Sequence, residues 1–268
     1  MATMSLVERA KAAAKKQLEG SHGGMTNKAW KSKTGLPTFR VEATKEDGSN
    51  RAVIRILPYM MKNPRNNPDS QDIGAEWYKR LYWVHRVGPS NLMVTCLLKT
   101  FGKACPVCEM MHKMRADGVS DEVVRKLAPK ERELYNVFDH VDKKVKILDI
   151  STHLFGKKLL KEVNDPVNEG AGLYVDPSEG GMQLYCRFDE DKSGGFTSKR
   201  LGDVKFVKGK VVPKEVLAKA EDLDAMLIEL SRDEVIEMMD GVSTADPAKV
   251  SSPTPSEQGA DANDDLDF

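Results

Sequence analysis

The stretch from His85 to Cys108 reads HRVGPSNLMVTCLLKTFGKACPVC and contains three of the four cysteines in the chain. Cys105 and Cys108 enclose a Pro-Val pair, a tight spacing that directs both sulfur atoms towards one point. Cys96 and His85 lie upstream on segments with strand character. Three thiols and one imidazole at this spacing predict a tetrahedral site for one zinc ion, and four protein ligands make such a site structural.

Two alternatives to this site remain open at the level of the sequence. A CxxC pair by itself is also typical of thiol redox centres, although the additional cysteine and histidine favour a metal. His112 lies four residues after Cys108, one helical turn on, and competes with His85 as the fourth ligand. Cys186 lies in an alternating segment and is predicted to be a small core residue.

The pattern of short alternating segments predicts a protein that is mainly β with peripheral helices, an α+β class. Because long alternating βα units are missing, a doubly wound sheet is disfavoured, and a small OB-type barrel with a zinc-binding insert fits the number of strands. The expected strands cover residues 51–57, 77–87, 92–98, 135–141, 144–150, 182–188 and 204–212. The expected helices cover residues 5–19, 109–115, 121–127, 130–134, 153–163, 213–230 and 231–240. Ser231 and Glu234 are expected to form a capping box at the start of the last helix.

Charge is distributed unevenly along the chain, although 41 basic residues balance 41 acidic ones. Residues 241–268 contain six acidic residues and one lysine, so residues 1–240 carry 40 basic against 35 acidic residues, a net charge of +5. A basic body with an acidic terminus is typical of polyanion-binding proteins that mask their own site. A disordered tail that only increases solubility explains the charge equally well.

Three regions are expected from these patterns. Residues 1–24 form a basic helical arm, residues 25–240 form the core with a zinc subdomain around 77–135, and residues 241–268 form a disordered acidic tail. No signal peptide opens the chain, and no apolar run approaches the ~18 residues that a membrane span needs. Clustered cysteines suit a reducing compartment, so we expect a cytoplasmic protein without membrane contact.

Catalytic motifs are missing from the sequence, which contains no phosphate-binding glycine loop, nucleophile elbow or HExxH motif. Aromatic residues instead alternate with cations at several places, a pattern typical of proteins that stack bases and neutralise phosphates of single strands. The pairs are Trp30-Lys31, Trp77-Tyr78-Lys79-Arg80, Phe101 with Lys103, Phe155 with Lys157 and Lys158, and Phe196 with Lys199 and Arg200. Lys33 adds a further cation close to the first pair. Each pair alone is more typical of a core aromatic beside a solvated lysine.

The sequence resembles the single-stranded DNA-binding (helix-destabilising) replication proteins of T-even-type bacteriophages. The similarity covers roughly residues 25–240 and rests on the zinc set, the strand AVIRILP (Ala52 to Pro58), FGKK (Phe155 to Lys158), Gly195-Phe196 and the terminal DDLDF. The resemblance implies an OB barrel with a zinc subdomain, an N-terminal self-association segment and an acidic tail that binds partner proteins. It implies a host-cell cytoplasmic location if the protein is viral.

The resemblance also implies DNA-contacting residues. Arg55 matches a cleft arginine of the family, and Phe101, Tyr135 and Phe196 fall near its base-contacting aromatics. The sequence departs from the family at its first helix, where a cluster of basic residues followed by Ser or Thr is missing. Only KSKT (Lys31 to Thr34) approximates that cluster. Cooperative assembly through the N-terminal arm is expected from the resemblance.

Together these observations predict a non-enzymatic, sequence-tolerant protein that coats single-stranded DNA during replication, recombination and repair. Its expected partners are single-stranded DNA, further copies of itself along the DNA, and replication or recombination proteins bound through the tail. The alternative is a zinc-containing accessory subunit of a nucleic-acid enzyme of the primase or nuclease type. An adaptor that binds only proteins would leave the aromatic and basic pairs unexplained.

Overall fold

Seven strands form one antiparallel sheet in the computed structural model, which describes residues 27–41, 50–62, 67, 73–88, 91–191 and 198–240. The strands of the described part are β1 (Asn50–Leu57), β2 (Tyr59–Met60), β3 (Glu76–Trp77), β4 (Arg80–Val87), β5 (Leu92–Thr95), β6 (Lys130–Asp139), β7 (Lys144–Ser151), β8 (Met182–Asp191) and β9 (Ser198–Lys208). The order in the large sheet is β5-β4-β6-β1-β8-β9, with β7 also paired to β6, while β2 and β3 pair with each other.

The helices lie between and after these strands. They are α1 (Leu97–Phe101), α2 (Pro106–Ala116), α3 (Asp121–Leu127), α4 (Gly156–Val163), α5 (Lys214–Leu217), α6 (Leu223–Met226), α7 (Arg232–Asp240) and a short 3-10 helix (Ala171–Val175). Pro106 occupies the first turn of α2, where its missing N–H costs nothing. Ser231 and Glu234 exchange hydrogen bonds with each other's backbone N–H, the predicted capping box at the start of α7.

Strand β6 is the centre of the sheet because it contacts three other strands. Strand β7 pairs along the whole of one edge. The other edge is shared: β4 pairs with residues 130–134, and β1 pairs with residues 136–139. Two arms therefore leave β6, one made of β1, β8 and β9 and the other of β4 and β5. The predicted metal ligands belong to the second arm and the helices that follow it.

Apolar side chains form a separate cluster beside each arm. The larger cluster includes Ile54, Tyr135, Phe155 and Leu184 and lies on the inner face of the β1–β8–β9 arm. The second cluster joins β4 and β6 to α6 and contains Trp30, Tyr82, Leu134, Leu223 and Met226, among others. A third cluster surrounds the three cysteines of the predicted metal site. Burial of these side chains supplies the main driving force for folding.

The predicted class, mainly β with helices, is confirmed. No closed barrel is detected within the described residues, so the sheet supports the coarser class and not the OB barrel as such. The expected helix at 121–127 has the predicted bounds, and the strands at 51–57, 144–150 and 182–188 agree to within a few residues. The expected helix at 5–19 lies outside the described residues.

Four predicted elements are wrong in type or extent. The strand expected at 204–212 spans Ser198–Lys208. Residues 130–134 form the start of β6 and not a helix, because β4 and β7 pair with both of their edges. The strand at 92–98 ends at Thr95, since Cys96 caps α1. The single helix expected over 213–230 is two short helices. Leu217 of α5 packs against one apolar cluster, and Leu223 of α6 belongs to another.

Among the described residues, no helix has the length and apolar character needed to cross a membrane.

Candidate metal centre

The four predicted metal ligands come from three neighbouring parts of the second arm. His85 lies on β4 and is paired with Val94 of β5. Cys96 follows β5 directly and caps α1, where its sulfur accepts a hydrogen bond from the Lys99 N–H. Cys105 is the N-cap residue of α2, and Cys108 lies in the first turn of that helix. The paired strands β4 and β5 and the start of α2 thus bring together ligands that are up to 23 residues apart in sequence.

The ligand atoms are close enough to coordinate one ion. All four lie within 4.8 Å of one another. His85 Nε2 is 3.5 Å from Cys105 Sγ and 3.4 Å from Cys108 Sγ, and Cys96 Sγ is 3.6 Å from Cys108 Sγ. Zinc bonds of about 2.3 Å to sulfur and 2.0 Å to nitrogen place tetrahedral ligand atoms roughly 3.5–3.8 Å apart. The site could therefore hold a metal ion such as zinc without a large rearrangement.

The orientation of His85 suits a ligand because its other ring nitrogen is already engaged. Nδ1 lies 2.7 Å from the carbonyl oxygen of Leu127, at the end of α3. A carbonyl can only accept, so Nδ1 must carry the proton, and Nε2 keeps its lone pair directed at the cysteine sulfurs. A backbone acceptor behind a histidine ligand is the usual way in which a protein fixes the tautomer and direction of the ring.

The three thiols share negative charge unequally. A hydrogen bond from Cys96 lowers the pKa of Cys105, with a further contribution from His85. The same contact with Cys105 raises the pKa of Cys96, and burial raises the pKa of Cys108. Three buried sulfurs this close therefore ionise one at a time, because each thiolate opposes the next. A divalent cation supplies the positive charge that lets all three bind as thiolates.

The structure favours His85 over His112 as the fourth member of the set. His85, Cys96, Cys105 and Cys108 are all buried, whereas His112 is exposed and lies outside the cluster. Cys186 is buried in the large apolar cluster of the other arm, as predicted. Within the described residues this is the one cluster of His, Cys, Asp and Glu side chains suited to a metal ion.

The structure does not place Arg55 on a surface, as the prediction of a DNA-contacting arginine requires. Its guanidinium is buried and donates hydrogen bonds to the carbonyl oxygens of Asp176 (2.7 Å), Ser178 (3.0 Å) and Lys210 (3.2 Å). A Cβ atom at Gly209 would lie 2.0 Å from the guanidinium. Arg55 thus holds two loops to β1, and we remove it from the proposed DNA contacts.

The predicted base-stacking residues Tyr135 and Phe155 are also interior. Their rings pack edge to face at 5.7 Å within the large apolar cluster, and Phe155 stacks on Phe188 at 6.3 Å. The Tyr135 hydroxyl donates to Glu133, which is also buried. Neither ring has a face open to a base, because β6 and α4 turn both of them into the core.

The remaining predicted contacts lie on separate elements. Phe101 is half-buried at the end of α1, Lys157 is exposed and Lys158 half-buried in the first turn of α4, and Lys31 and Lys33 are exposed on the segment before β1. Phe196 lies outside the described residues. The structure therefore does not gather the predicted set into a single surface.

A group that the sequence did not single out lies on the outer face of β1, β8 and β9. Tyr185 is 42% exposed and pairs with Val53 on one side and Lys205 on the other. Arg51 of β1 and Arg187 of β8 pair with each other two residues further along these strands. The alternation over 182–188 does indicate that Tyr185 and Arg187 share a face, but the partners on the other two strands become visible only in the sheet.

No protein-family model matches the sequence, and a search of curated proteins finds no similar protein.

Proposed function

We propose that this chain is a non-enzymatic protein that binds single-stranded DNA with little regard to sequence. The observation that carries the proposal is the outer face of β1, β8 and β9, which we call the Tyr185 platform. It consists of an exposed aromatic ring with one basic side chain nearby on each of the three strands. The platform is defined by Arg51, Val53, Tyr185, Arg187 and Lys205.

The platform places cations on strands next to the exposed ring. Cross-strand neighbours in an antiparallel sheet have Cβ atoms about 4.5–5.5 Å apart, so Tyr185 lies directly between Val53 and Lys205. The next pair towards the end of the sheet is Arg51 and Arg187, with Asp203 beyond it. A base stacked on Tyr185 would thus have cations on two sides within reach of its flanking phosphates.

The charge of the platform favours an anionic ligand. Arg51, Arg187 and Lys205 outnumber Asp203, the acidic residue that lines the same depression in the surface. Arg187 also pairs with Asp189, but both side chains are solvent-exposed, and exposed pairs of this kind contribute little. A phosphate can therefore replace Asp189 as the partner of Arg187 at small cost.

Sequence tolerance follows from the same chemistry. Every base has a π-face that can stack on a tyrosine, whereas readout of a particular base requires hydrogen bonds to its edge. DNA, as opposed to RNA, is favoured by the resemblance to the phage replication proteins. The finer fold expectation, an OB barrel with a zinc subdomain, belongs to the same proposal and is supported by the central antiparallel strands around β6.

The metal in this proposal is one structural zinc ion. Four protein ligands fill a tetrahedron and leave no position for a reactive water, which supports a scaffold role over a catalytic one. Protein prepared without added metal is expected to contain about one equivalent of zinc. The double variant His85→Ala, Cys96→Ser should contain none, while Cys186→Ser, which changes a cysteine outside the site, should retain it. An unchanged zinc content in the double variant contradicts the assignment.

The DNA-binding proposal is tested by titrating fluorescent oligo(dT) with full-length protein at two salt concentrations. Tyr185→Ala should weaken binding by the free energy of one stacked base, about 1–3 kcal/mol. Lys205→Gln should weaken binding at low salt and reduce the salt slope by about 0.7, the value for one phosphate contact on a single strand.

Two matched variants serve as controls. Leu173→Ala removes an exposed apolar side chain from the 3-10 helix, and Lys113→Gln removes an exposed lysine from α2. Neither should change the affinity or the salt slope. Affinity for oligo(dT) equal to that for duplex DNA, or an unchanged affinity in Tyr185→Ala, overturns the proposal.

A further inference from the structure

Helix α7 packs on the part of the molecule that holds the metal ligands. Its Val235 is 1% exposed and belongs to the same apolar cluster as Val87, Val94, Leu97 and Val107. The other three buried members of this cluster are Cys96, Cys105 and Cys108, three of the four metal ligands. We call this group the metal-side cluster. The apolar face of α7 is therefore buried in the cluster that contains three of the four metal ligands.

Charged contacts join the same two parts at the surface. Arg232, the first residue of α7, donates from both terminal nitrogens to the two carboxylate oxygens of Glu109, at 2.7 and 2.6 Å. Glu109 directly follows the ligand Cys108. Lys103, between two of the ligands, pairs with Glu229 just before α7. These pairs are largely exposed, so they set the position of α7 more than they stabilise it.

The last turn of α7 lies against the end of the strand that carries His85. A Cβ atom at Gly88 would be 2.3 Å from the carbonyl oxygen of Met238. Gly88 also has a φ of +66°, which side chains rarely tolerate, so this contact depends on glycine. Met238 and Met239 both pack on the metal-side cluster. The helix thus contacts β4 at one end and α2 at the other.

The start of the described chain meets the same hairpin. Asn27 forms a bridge with Met93 of β5, and the Lys28 N–H donates to the Met93 carbonyl. Thr95, the residue before Cys96, donates through its hydroxyl to the Ala29 carbonyl. The chain therefore enters and leaves its described part, at residues 27 and 240, beside the β4–β5 hairpin.

We propose that the metal centre is the anchor of helix α7, and hence of the point from which the acidic segment 241–268 continues. The metal ion ties β4, Cys96 and the start of α2 together, and these are the surfaces on which α7 rests. Without the ion, three of the eight buried members of the metal-side cluster are uncoordinated thiols. Apart from the backbone, no covalent bond then connects the segments that carry them. Metal loss then releases α7 while the sheet stays folded. The inference rests on metal binding by the four ligands and is independent of DNA binding.

Hydrogen exchange of the full-length protein, followed by mass spectrometry, tests this coupling. Metal is removed with a chelator, and the metal content of the same sample is measured. Amides of residues 232–240 should then lose protection by about tenfold or more, as expected for a local opening. Amides of β1 and β8 should keep their protection. The variant Cys186→Ser, treated in the same way, should behave like the unchanged protein.

Two results overturn the anchor. In the first, residues 232–240 keep their protection after the metal has been removed, which means that α7 docks without the ion. In the second, β1 and β8 lose protection together with α7, which makes the ion a requirement for the whole fold. A protein that contains no metal from the start contradicts the metal assignment instead, so the two proposals fail in distinguishable ways.

Reciprocity gives a second test that does not depend on the ligand residues. If metal binding strengthens α7 docking by some factor, then docking strengthens metal binding by that same factor, so a variant that docks more weakly should bind metal less tightly. Val235→Ala removes two methyl groups from the buried face of α7 and should weaken zinc binding by about fivefold or more, in the range typical of coupled sites. Val204→Ala makes the same change in the cluster of the other arm and should leave zinc affinity unchanged. Equal zinc affinities in the two variants contradict the coupling.

Discussion

The carboxylate of Glu221 joins the segment before β1 to the turn between α5 and α6. It accepts hydrogen bonds from the hydroxyls of Ser32 and Thr34 and from the backbone N–H groups of Lys33 and Thr34. Its own backbone pairs with the side chain of Asn136 on β6. The KSKT segment, singled out in the sequence as a basic cluster, therefore owes its conformation to this one anion.

Glu221 gives the protein a stability that depends on pH. Burial alone would raise the pKa of its carboxyl group, but the four donors outweigh burial and lower the pKa below the usual value of 4.5. A lowered folded-state pKa contributes stability above the unfolded-state value, and this contribution is lost as pH falls through the folded-state pKa. Glu221→Gln should lower the free energy of unfolding by about 1–3 kcal/mol at pH 7. The amide nitrogen of glutamine cannot accept the hydrogen bonds that a carboxylate oxygen accepts at that position.

Urea unfolding between pH 7 and pH 3 measures this effect. The difference between Glu221→Gln and the unchanged protein should shrink as pH falls from about 4.5 through the lowered folded-state pKa, because the Glu221 carboxyl group then becomes neutral in both states. Glu215→Gln, an exposed change on α5, should show no difference at either pH. A constant difference across the pH range would assign the loss to packing and not to charge.

Arg55 is expected to stabilise the fold without touching DNA. Arg55→Lys keeps the charge but loses the forked geometry that reaches three carbonyl oxygens, so the free energy of unfolding should fall by about 1–3 kcal/mol. Oligo(dT) affinity of the folded variant should be unchanged. Lys205→Gln, on the Tyr185 platform, should show the opposite pattern, with stability kept and affinity reduced. A selective loss of affinity in Arg55→Lys would restore the arginine to the DNA site.

At the scale of elements, the glycine of the FGKK motif explains how α4 joins the core. A Cβ atom at Gly156 would lie 2.0 Å from a carboxylate oxygen of Glu133, which pairs with Lys79 at 3.1 Å. Both charged side chains are buried. Phe155 fills the apolar cluster next to them, so the first half of the motif is structural, and only its lysines face outward.

Gly156→Ala should therefore destabilise the protein through overpacking, by about 1–3 kcal/mol. Gly172→Ala is the matched control, since nothing lies within 4 Å of a Cβ atom at that position of the 3-10 helix. Thermal unfolding of the two variants and the unchanged protein decides the matter. Equal melting temperatures for the two variants would mean that Glu133 moves aside without cost.

The elements that could be predicted from the sequence are those whose signals are local. The capping box at Ser231 and Glu234 and the CPVC turn each involve residues within one turn of a helix, and both have the predicted place. Residues 130–134 are predicted to be helical, but pairing with β4 and β7 makes them part of a strand. Whether such a segment forms a helix or a strand depends on strands that are far away in sequence and pair with both of its edges.

The same distinction separates the two candidate sites. The metal ligands span 24 residues, and their types and spacing alone carry the chemistry. The Tyr185 platform joins residues 51, 185 and 205, which no spacing rule connects before the sheet is known. The DNA contacts predicted from residue type and resemblance include Arg55, Tyr135 and Phe155, which are buried in the structure. Residue type and resemblance do not show which face of a strand is covered, so they could not exclude these residues.

On the scale of the whole molecule, charge is segregated along the chain. Residues 1–240 carry 40 basic and 35 acidic residues, whereas residues 241–268 carry six acidic residues and one lysine. The final DDLDF places Leu266 and Phe268 among aspartates, a composition suited to a basic and apolar pocket on a partner protein. The same negative charge can compete with DNA for the basic residues of the Tyr185 platform.

Truncation after Gly241 should therefore strengthen the binding of oligo(dT) at low salt, because the net charge of +5 is no longer neutralised by the acidic segment. The gain must fade as salt is added, since the Debye length is only ~8 Å near physiological ionic strength. A salt series that compares full-length and truncated protein on one oligonucleotide measures both effects. A variant in which Asp261, Asp264, Asp265 and Asp267 are changed to Asn keeps the length of the chain and should bind like the truncated protein. Equal affinities of all three proteins at the lowest salt would show that the acidic segment does not compete for the DNA site.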